Sequence, residues 1–227
     1  MIKPPMYTFG RMIILAYARL MFRIDIQRHE PLPPGPKIFV PNHPSATDPF
    51  LIHLISRQAI SVLISGSAFT VPLFGRFLRA SDQIPVNPGQ SEQTIAMSRR
   101  VLENGGSVAI FPEGLISPRE GGFHRPRTGA VRLALSTGAP LVPVGIYLPR
   151  ERRLRIVSGI SGKETEGEWY FRGPYGVTAG SPLYLEGDEN DRQLIQRLSD
   201  QLMVTIRRLA EETELRVRKL HLAALPA

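Results

Sequence analysis

The sequence predicts an α/β fold with a mixed, largely parallel central sheet flanked by helices, an N-terminal interfacial helix and a C-terminal amphipathic helix. Short apolar runs alternate with amphipathic stretches between residues 37 and 146, which is the pattern of strands joined by crossover helices. An apolar stretch punctuated by arginines opens the chain, and a stretch with leucines at helical spacing closes it. At 227 residues the chain is long enough to form one large domain with its own core.

The N-terminal segment predicts a helix that lies in a membrane interface. Residues 7–23 are mostly apolar and aromatic, and the uncharged run between Arg11 and Arg19 is only seven residues long. A helix that spans a bilayer needs about twenty apolar residues, so this one is too short to cross. It also lacks the small-residue cleavage site of a secretory signal peptide. Arginines beside aromatic and aliphatic side chains are typical of interfacial helices, and a helix packed on the core is the alternative.

A rigid proline-rich loop at Glu30–Pro36 predicts a boundary in the chain. We therefore expect residues 1–30 to hold the interfacial helix and a first strand, and residues 31–227 to form the main domain. Predicted strands cover 24–27, 38–40, 60–64, 83–86, 107–111, 140–146, 154–157 and 176–185, with a polar Gly-rich segment at 158–167. One predicted helix begins at Pro49, and further predicted helices cover 71–79, 91–103, 128–137 and 191–219. Asp48 and Ser91 are predicted N-caps, and Asn104 with the two following glycines predicts a helix end.

Composition limits the partners and the chemistry. The chain has no cysteine, which excludes disulfides, thiolate metal sites and a cysteine nucleophile. Its formal charge is +8, and arginine carries most of the positive charge, which indicates anionic partners such as phospholipid headgroups, phosphorylated substrates, coenzyme A, an acidic carrier protein or nucleic acid. Genome composition is an alternative cause of the arginine bias. The histidines show no metal-ligand spacing, so we expect no metal.

Two polar residues follow the second predicted strand. His43 lies in the loop and Asp48 opens the next helix, so both side chains are expected at one edge of the sheet. An imidazole can take a proton from a hydroxyl, and a nearby carboxylate orients the ring and stabilises the imidazolium that forms. Taken singly, a turn histidine and an N-cap aspartate explain these residues equally well.

A second motif, Phe-Pro-Glu-Gly at residues 111–114, follows another predicted strand. Together with Asn42-His43, which four intervening residues separate from Asp48, and with Leu-Val-Pro-Val at 141–144, it resembles the glycerolipid acyltransferase family that includes lysophosphatidic acid acyltransferases. The resemblance covers roughly residues 37–146, with the motifs in the family's order and spacing.

The resemblance implies that His43 is the catalytic base and Asp48 its orienting partner in an acyltransferase domain. The acceptor hydroxyl then attacks a thioester directly, without an acyl-enzyme. The donor is acyl-CoA or acyl carrier protein, and no other cofactor is expected. Substrate-contacting positions carried over from the motifs are Asn42, Glu113, Gly114 and Ser117. For Glu113 the alternative is a structural loop carboxylate bound by backbone amides.

This chain departs from the family pattern in the phosphate region. Lysophosphatidic acid acyltransferases typically carry Thr-Arg-Ser after the Glu-Gly pair, and the arginine is thought to hold the acceptor phosphate. Here Ile116 occupies the arginine position, and the block at Ile84–Pro88 also lacks its usual terminal arginine. Nearby arginines that can substitute as phosphate ligands are Arg119, Arg125 and Arg127.

The function predicted from the sequence is acyl transfer to a lysophospholipid, with 1-acyl-glycerol-3-phosphate as the favoured acceptor. We expect a peripheral protein at the cytoplasmic face of the cell membrane, with membrane lipids, a lipid acceptor and the acyl donor as partners and no nucleic acid. One alternative is a non-phosphorylated lipid or other alcohol acceptor, which Ile116 favours. Another is a non-catalytic basic protein that binds membranes. A serine hydrolase is disfavoured, because the sequence contains no Gly-x-Ser-x-Gly elbow.

Overall fold

A computed structural model of the protein describes residues 5–158 and 165–223. The helices are α1 (Pro5–Met21), α2 (Asp48–Leu51), α3 (Phe74–Ala80), α4 (Ser91–Glu103), α5 (Gly129–Thr137) and α6 (Arg192–Ala223). The strands are β1 (Phe22–Arg28), β2 (Ile38–Pro41), β3 (Ile60–Ser65), β4 (Ile84–Val86), β5 (Ser107–Ala109), β6 (Leu141–Tyr147), β7 (Leu154–Ser158), β8 (Thr165–Trp169) and β9 (Gly173–Ala179). Short 3₁₀ turns lie at Ile52–Leu54, Gly66–Thr70 and Arg150–Arg152.

Seven of these strands form one sheet in the order β1-β9-β6-β2-β5-β3-β4. Every neighbouring pair is parallel except β6 and β9, which are antiparallel. The predicted α/β class with a mixed, largely parallel sheet, an N-terminal helix and a long C-terminal helix is therefore confirmed. Strand β2 lies between β5 and β6, and all four of its residues are buried. The loops that follow β2 and β5 consequently leave the same edge of the sheet side by side.

Hydrophobic residues cover both faces of the sheet. Alternate residues of β2 point to opposite faces, so Phe39 joins one core cluster while Ile38 and Val40 join the other. The Phe39 cluster includes residues of α1, β1 and β9, whereas the second cluster lies under α4, α5 and α6. Burial on both faces explains why the central strands read as continuous apolar runs in the sequence.

Several local predictions need correction. The N-cap of α2 is Thr47 and that of α4 is Gln90, so neither Asp48 nor Ser91 caps its helix. The helix predicted from Pro49 is α2, which has four residues and is followed directly by a 3₁₀ turn. Strand β8 begins within the polar segment at 158–167, where no strand is predicted. Its glutamates and glycine give no strand pattern, although the strand pairs with β7. Residues 159–164 of that segment lie outside the described residues.

Helix α1 buries one side and exposes the other. Ala18 is fully buried, and the buried Tyr7 hydroxyl contacts both His53 and the backbone of β3. Its exposed apolar side chains are Met6, Phe9, Met12, Ile13 and Leu20. Within the described part of the chain no helix is both long and apolar enough to cross a membrane. The domain boundary predicted at residue 30 stays a prediction. Strand β1 of the N-terminal segment pairs with β9 in the same sheet as the other strands.

The buried contact between α1 and His53 predicts a pH-dependent stability. The Tyr7 hydroxyl lies 3.2 Å from His53 Nδ1 and accepts the Ile60 N–H at 3.0 Å, and we assign the Tyr7 hydroxyl as the donor to the neutral imidazole. Burial, with the Arg11 charge adding to it, lowers the pKa of His53 from 6.5 to about 4. The unfolded chain therefore binds a proton at higher pH than the folded chain. This part of the stability is complete above about pH 6.5 and falls as the pH decreases toward 4.

Urea unfolding at pH 7.5 and pH 4.5 measures this effect. We expect acidification to cost the wild type on the order of 2 kcal/mol more than it costs His53→Gln, which has no imidazole to protonate. Protonation of carboxylates affects both proteins alike and cancels in the comparison. Equal losses in the two proteins would show that His53 does not carry the pH dependence.

Candidate active site

The loops after β2 and β5 place His43 beside Asp48 at the carboxyl edge of the sheet. His43 Nδ1 lies 3.1 Å from Asp48 Oδ2. Because Asp48 accepts, we assign the proton to Nδ1, which leaves Nε2 as the ring nitrogen that can take a proton from a substrate. The His43 ring packs on Phe111 at a centroid distance of 4.2 Å, and 15% of its side chain is exposed. The imidazole is therefore held in one orientation but stays within reach of solvent and substrate.

The Asp48 carboxylate is completely buried and accepts three hydrogen bonds. Oδ2 accepts the backbone N–H of Ser45 at 2.7 Å in addition to His43, and Oδ1 accepts the Tyr175 hydroxyl at 3.2 Å. Burial raises the pKa of Asp48, and the hydrogen bonds from His43, Ser45 and Tyr175 oppose that rise. Burial together with the neighbouring Asp48 charge raises the pKa of Tyr175 well above its ordinary value, so its hydroxyl stays a donor.

Glu113 joins the two loops. One carboxylate oxygen accepts the backbone N–H of His43 at 3.1 Å and the Ser117 hydroxyl at 2.7 Å. The other oxygen accepts the backbone N–H of His124 at 2.9 Å. Ser117 N–H in turn donates to the His43 carbonyl at 2.7 Å. The structure thus places the buried Glu113 and Ser117 side chains against protein groups, where they position the His43 loop; direct substrate contact by either residue stays a prediction.

Asn42 pairs with strand β6 through its side chain. Its Nδ2 donates to the Ile146 carbonyl at 2.9 Å, and its Oδ1 accepts the Ile146 N–H at 2.6 Å. The amide group thereby continues the β2–β6 ladder by one step after the strand ends. This bond fixes the backbone from which His43 projects, and a contact with substrate again stays a prediction.

The arginines predicted to replace the missing cation lie on the segment after Glu113. Gly114 has a φ of 66°, and a Cβ at this position would collide with the Arg127 side chain. Glycine is therefore required both by its backbone conformation and by the approach of Arg127. All three arginines are exposed, and Arg119 bonds Glu168 at 3.1 Å. The Arg127 side chain lies against Gly114, and its backbone N–H donates to the Pro112 carbonyl at 2.7 Å.

The family assignment follows from a comparison with protein-family models. The model described as Acyltransferase matches residues 23–147, which is more than half of the chain. The chain belongs to the acyltransferase family. The predicted family resemblance is therefore confirmed, and the matched region contains His43, Asp48 and Glu113.

Two further comparisons found similar proteins. The 1-acyl-sn-glycerol-3-phosphate acyltransferase of Borreliella burgdorferi strain B31 is 29% identical over 114 residues, which is 48% of this chain. That alignment spans only 45% of the length of the Borreliella protein. The crystal structure of the lysophosphatidic acid acyltransferase PlsC from Thermotoga maritima superposes with a TM-score of 0.61 at 18% identity, covering 98% of this chain and 80% of that one. The structural likeness shows a shared fold.

Sequence reasoning missed residues that support the candidate active site of this acyltransferase. Arg153 is buried, with 4% of its surface exposed, and donates to the carbonyls of Pro44 and Arg119 at 2.9 and 3.0 Å. It ties the His43 loop to the segment after Glu113. Arg153 stands in a run of arginines without a recognisable motif, and Tyr175 lies 127 residues from its partner Asp48, so neither carried a local signal. Within the described residues, no three acidic or histidine side chains are grouped to hold a metal ion.

Proposed function

We propose that the chain transfers a fatty acyl group from acyl-CoA or acyl carrier protein to the free hydroxyl of 1-acyl-glycerol-3-phosphate, which makes phosphatidic acid. The observation that carries the proposal is the pair of His43 and the buried Asp48 at the edge of the sheet. Membership of the acyltransferase family supports an acyl donor and an acyl acceptor as the two substrates.

The geometry supports direct transfer by general-base catalysis. As the acceptor oxygen attacks the thioester carbonyl carbon, its proton passes to His43 Nε2. The tetrahedral intermediate collapses, the carbon–sulfur bond breaks, and the imidazolium returns the proton to the leaving thiolate. The negative charge of Asp48 stabilises the imidazolium between these two steps and keeps the proton on Nδ1.

An acceptor phosphate needs cationic partners near this site. Leaving a partly buried phosphate dianion unpaired costs several kcal/mol, so at least one cation must face it. Ile116 supplies none. Arg127 lies against Gly114, beside the carboxylate that holds the His43 backbone, and its planar guanidinium suits bidentate phosphate binding. Arg119 is less suited, because its present partner Glu168 competes with a phosphate.

We propose the cytoplasmic face of the cell membrane as the site of action, with the protein bound peripherally. The exposed apolar side of α1, which carries Phe9, Met12, Ile13 and Leu20, supports contact with a bilayer. Arg19 is exposed on the same helix, where it can pair with anionic headgroups.

The experiment that tests the function is incubation of the purified protein with labelled acyl-CoA, or with acyl carrier protein, and a panel of lyso-lipids. Mass spectrometry then identifies the acylated products. We expect phosphatidic acid from lysophosphatidic acid. Turnover of monoacylglycerol or another neutral alcohol in preference to lysophosphatidic acid would favour the non-phosphorylated acceptor, and absence of turnover with every acceptor would reject the enzymatic proposal.

Replacing Arg127 tests the phosphate contact. We expect Arg127→Ala to raise the KM for lysophosphatidic acid about tenfold, which corresponds to about 1.4 kcal/mol of lost binding, and to leave the KM for monoacylglycerol nearly unchanged. Arg197→Ala is the matched control, because Arg197 is an exposed arginine on α6. If Arg127→Ala changes the KM for neutral and phosphorylated acceptors alike, Arg127 does not bind phosphate. Ile116→Arg then tests whether this one residue sets the choice between a neutral and a phosphorylated acceptor.

A further inference from the structure

The β7–β8 hairpin is bonded to the loop that carries the proposed catalytic pair. The Ala46 N–H donates to the Glu168 carbonyl at 2.7 Å, and the Ser45 hydroxyl donates to the same carbonyl at 3.1 Å. The Tyr170 N–H donates to Thr47 Oγ1 at 3.1 Å. These three bonds fix the hairpin beside the residues between His43 and Asp48. Whatever the hairpin contacts is therefore held next to the proposed active site.

One face of this hairpin is apolar and partly exposed. The register pairs Leu154 with Trp169 and Ile156 with Gly167, so these four residues share a face. Leu154 is 56% exposed and Ile156 is 38% exposed. Gly167 has no side chain of its own, and the Trp169 indole and the Ala46 Cβ lie close to it. Packing within the domain does little to stabilise a two-stranded sheet whose apolar side chains are exposed. This indicates that the face contacts another molecule or a membrane.

The apolar face continues into helix α1. Trp169 stacks on Phe171 with a centroid distance of 5.8 Å and an interplanar angle of 7°. The Tyr17 hydroxyl donates to the Phe171 carbonyl at 2.6 Å. On α1, Tyr17 follows Ile13 by four residues and precedes Leu20 by three, so the three side chains lie along one side of the helix. A continuous apolar surface thus runs from α1 through Phe171 to the hairpin.

Charge around this surface favours an anionic bilayer as its occupant. Exposed arginines lie next to its apolar residues in the chain, at positions 19, 152 and 172. The two glutamates of the described strand β8 are matched by cations, because Glu166 pairs with Arg155 and Glu168 with Arg119. Aliphatic side chains, a tryptophan, a tyrosine and bordering arginines form the composition that proteins present to the headgroup region of a membrane.

We propose that the β7–β8 hairpin is a second membrane-contact element, which acts with α1 and places the His43 loop at the surface of an anionic bilayer with Trp169 among the headgroups. The proposal rests on the peripheral membrane binding proposed above and adds the hairpin to it. It also implies how the acceptor reaches the site: a lipid in the bilayer has its headgroup at the surface, where it can contact the His43 loop at the edge of the hairpin.

Trp169 is the sole tryptophan of the chain, so its fluorescence reports on the hairpin alone. The full chain is mixed with vesicles of phosphatidylglycerol and phosphatidylcholine while co-sedimentation is measured in parallel. We expect a blue shift of the emission on binding, and quenching by lipids brominated near the headgroup end of the acyl chain. Ile156→Asp is expected to weaken vesicle binding about tenfold or more, because an apolar side chain that enters the interface becomes charged.

Val204→Asp is the matched control, since Val204 is an exposed β-branched residue on α6, 67% exposed, and is expected to leave binding unchanged. Circular dichroism checks that both variants fold. A wild-type protein that sediments with vesicles while its emission stays unchanged would overturn the proposal, as would vesicle binding that Ile156→Asp and Val204→Asp leave equal. A blue shift that appears without vesicles, on addition of acyl carrier protein or at a higher protein concentration, would assign the face to a protein partner. That result would also overturn the proposal.

The outcome is separable from that of the proposed function. The fluorescence and sedimentation measurements need no acyl donor and no turnover, so they succeed or fail independently of acyl transfer. Conversely, turnover of a short-chain, water-soluble lysophosphatidic acid without vesicles tests the chemistry without the membrane. We expect Ile156→Asp to retain that soluble turnover, and its loss in a folded variant would indicate that the hairpin face supports the catalytic loop instead of contacting lipid.

Discussion

His43→Ala is expected to lower kcat for acyl transfer by about 10³-fold, within the range of roughly 10² to 10⁴ that general-base catalysis contributes. The ring is partly exposed and packs mainly on Phe111, so its removal leaves the core intact and the melting temperature nearly unchanged. Steady-state kinetics with saturating donor measure the loss. His29→Ala is the matched control, because His29 is an exposed histidine that pairs with Glu212 on α6.

A His43→Ala protein that keeps more than about a tenth of the wild-type rate would remove His43 from the role of base. A large fall in melting temperature would instead assign the loss of activity to the loop as a whole. The His29→Ala control separates these outcomes from a general effect of losing a histidine.

Asp48→Asn is expected to lower kcat by about 10² to 10⁴-fold while the protein stays folded. An asparagine can keep the geometry: its carbonyl oxygen replaces Oδ2 as acceptor for His43 and Ser45, and its amide group meets the Tyr175 hydroxyl, which can also accept. What disappears is the negative charge that stabilises the imidazolium. The measurement is kcat together with the melting temperature.

Tyr175→Phe supplies the control for Asp48→Asn. It removes one hydrogen bond to the buried carboxylate but leaves its charge, so we expect a much smaller loss of rate. If Asp48→Asn keeps its activity and only its melting temperature falls, Asp48 serves the structure and not the chemistry. If both variants lose activity equally, loop geometry and not charge is the requirement.

The sequence alone predicted most of the elements that form the sheet. Burial on both faces requires apolar runs, so β2, β3 and β6 were recognisable locally, and the bounds of α4 were predicted correctly from its amphipathic pattern and the glycines that end it. Strand β8 was missed because Glu166, Gly167 and Glu168 give no apolar alternation; its place is set by pairing with β7 and by bonds to the loop that follows His43.

In the candidate site, too, one part was predictable from the sequence and another part was not. The proximity of His43 and Asp48 was predictable, because only four residues lie between them and the chain turns at the end of a buried strand. The surroundings of the pair were not predictable from local pattern. The sequence predicts Asp48 as an N-cap, since aspartate before proline is a common start of a helix, but its carboxylate instead faces His43, Ser45 and Tyr175.

The sequence by itself determined the fold class, the family and the identity of the proposed base and its partner, because periodicity, strand-end motifs and their order are local properties of the chain. Only the tertiary structure decided how these residues are held. Asn42 meets Ile146 across 104 residues and Arg153 meets Pro44 across 109, and such bonds depend on strand order and burial, which no local pattern contains. The same holds for the apolar surface shared by α1 and the hairpin: its two halves lie more than 130 residues apart in the sequence and are joined only in the folded chain, where the Tyr17 hydroxyl donates a hydrogen bond to the Phe171 carbonyl.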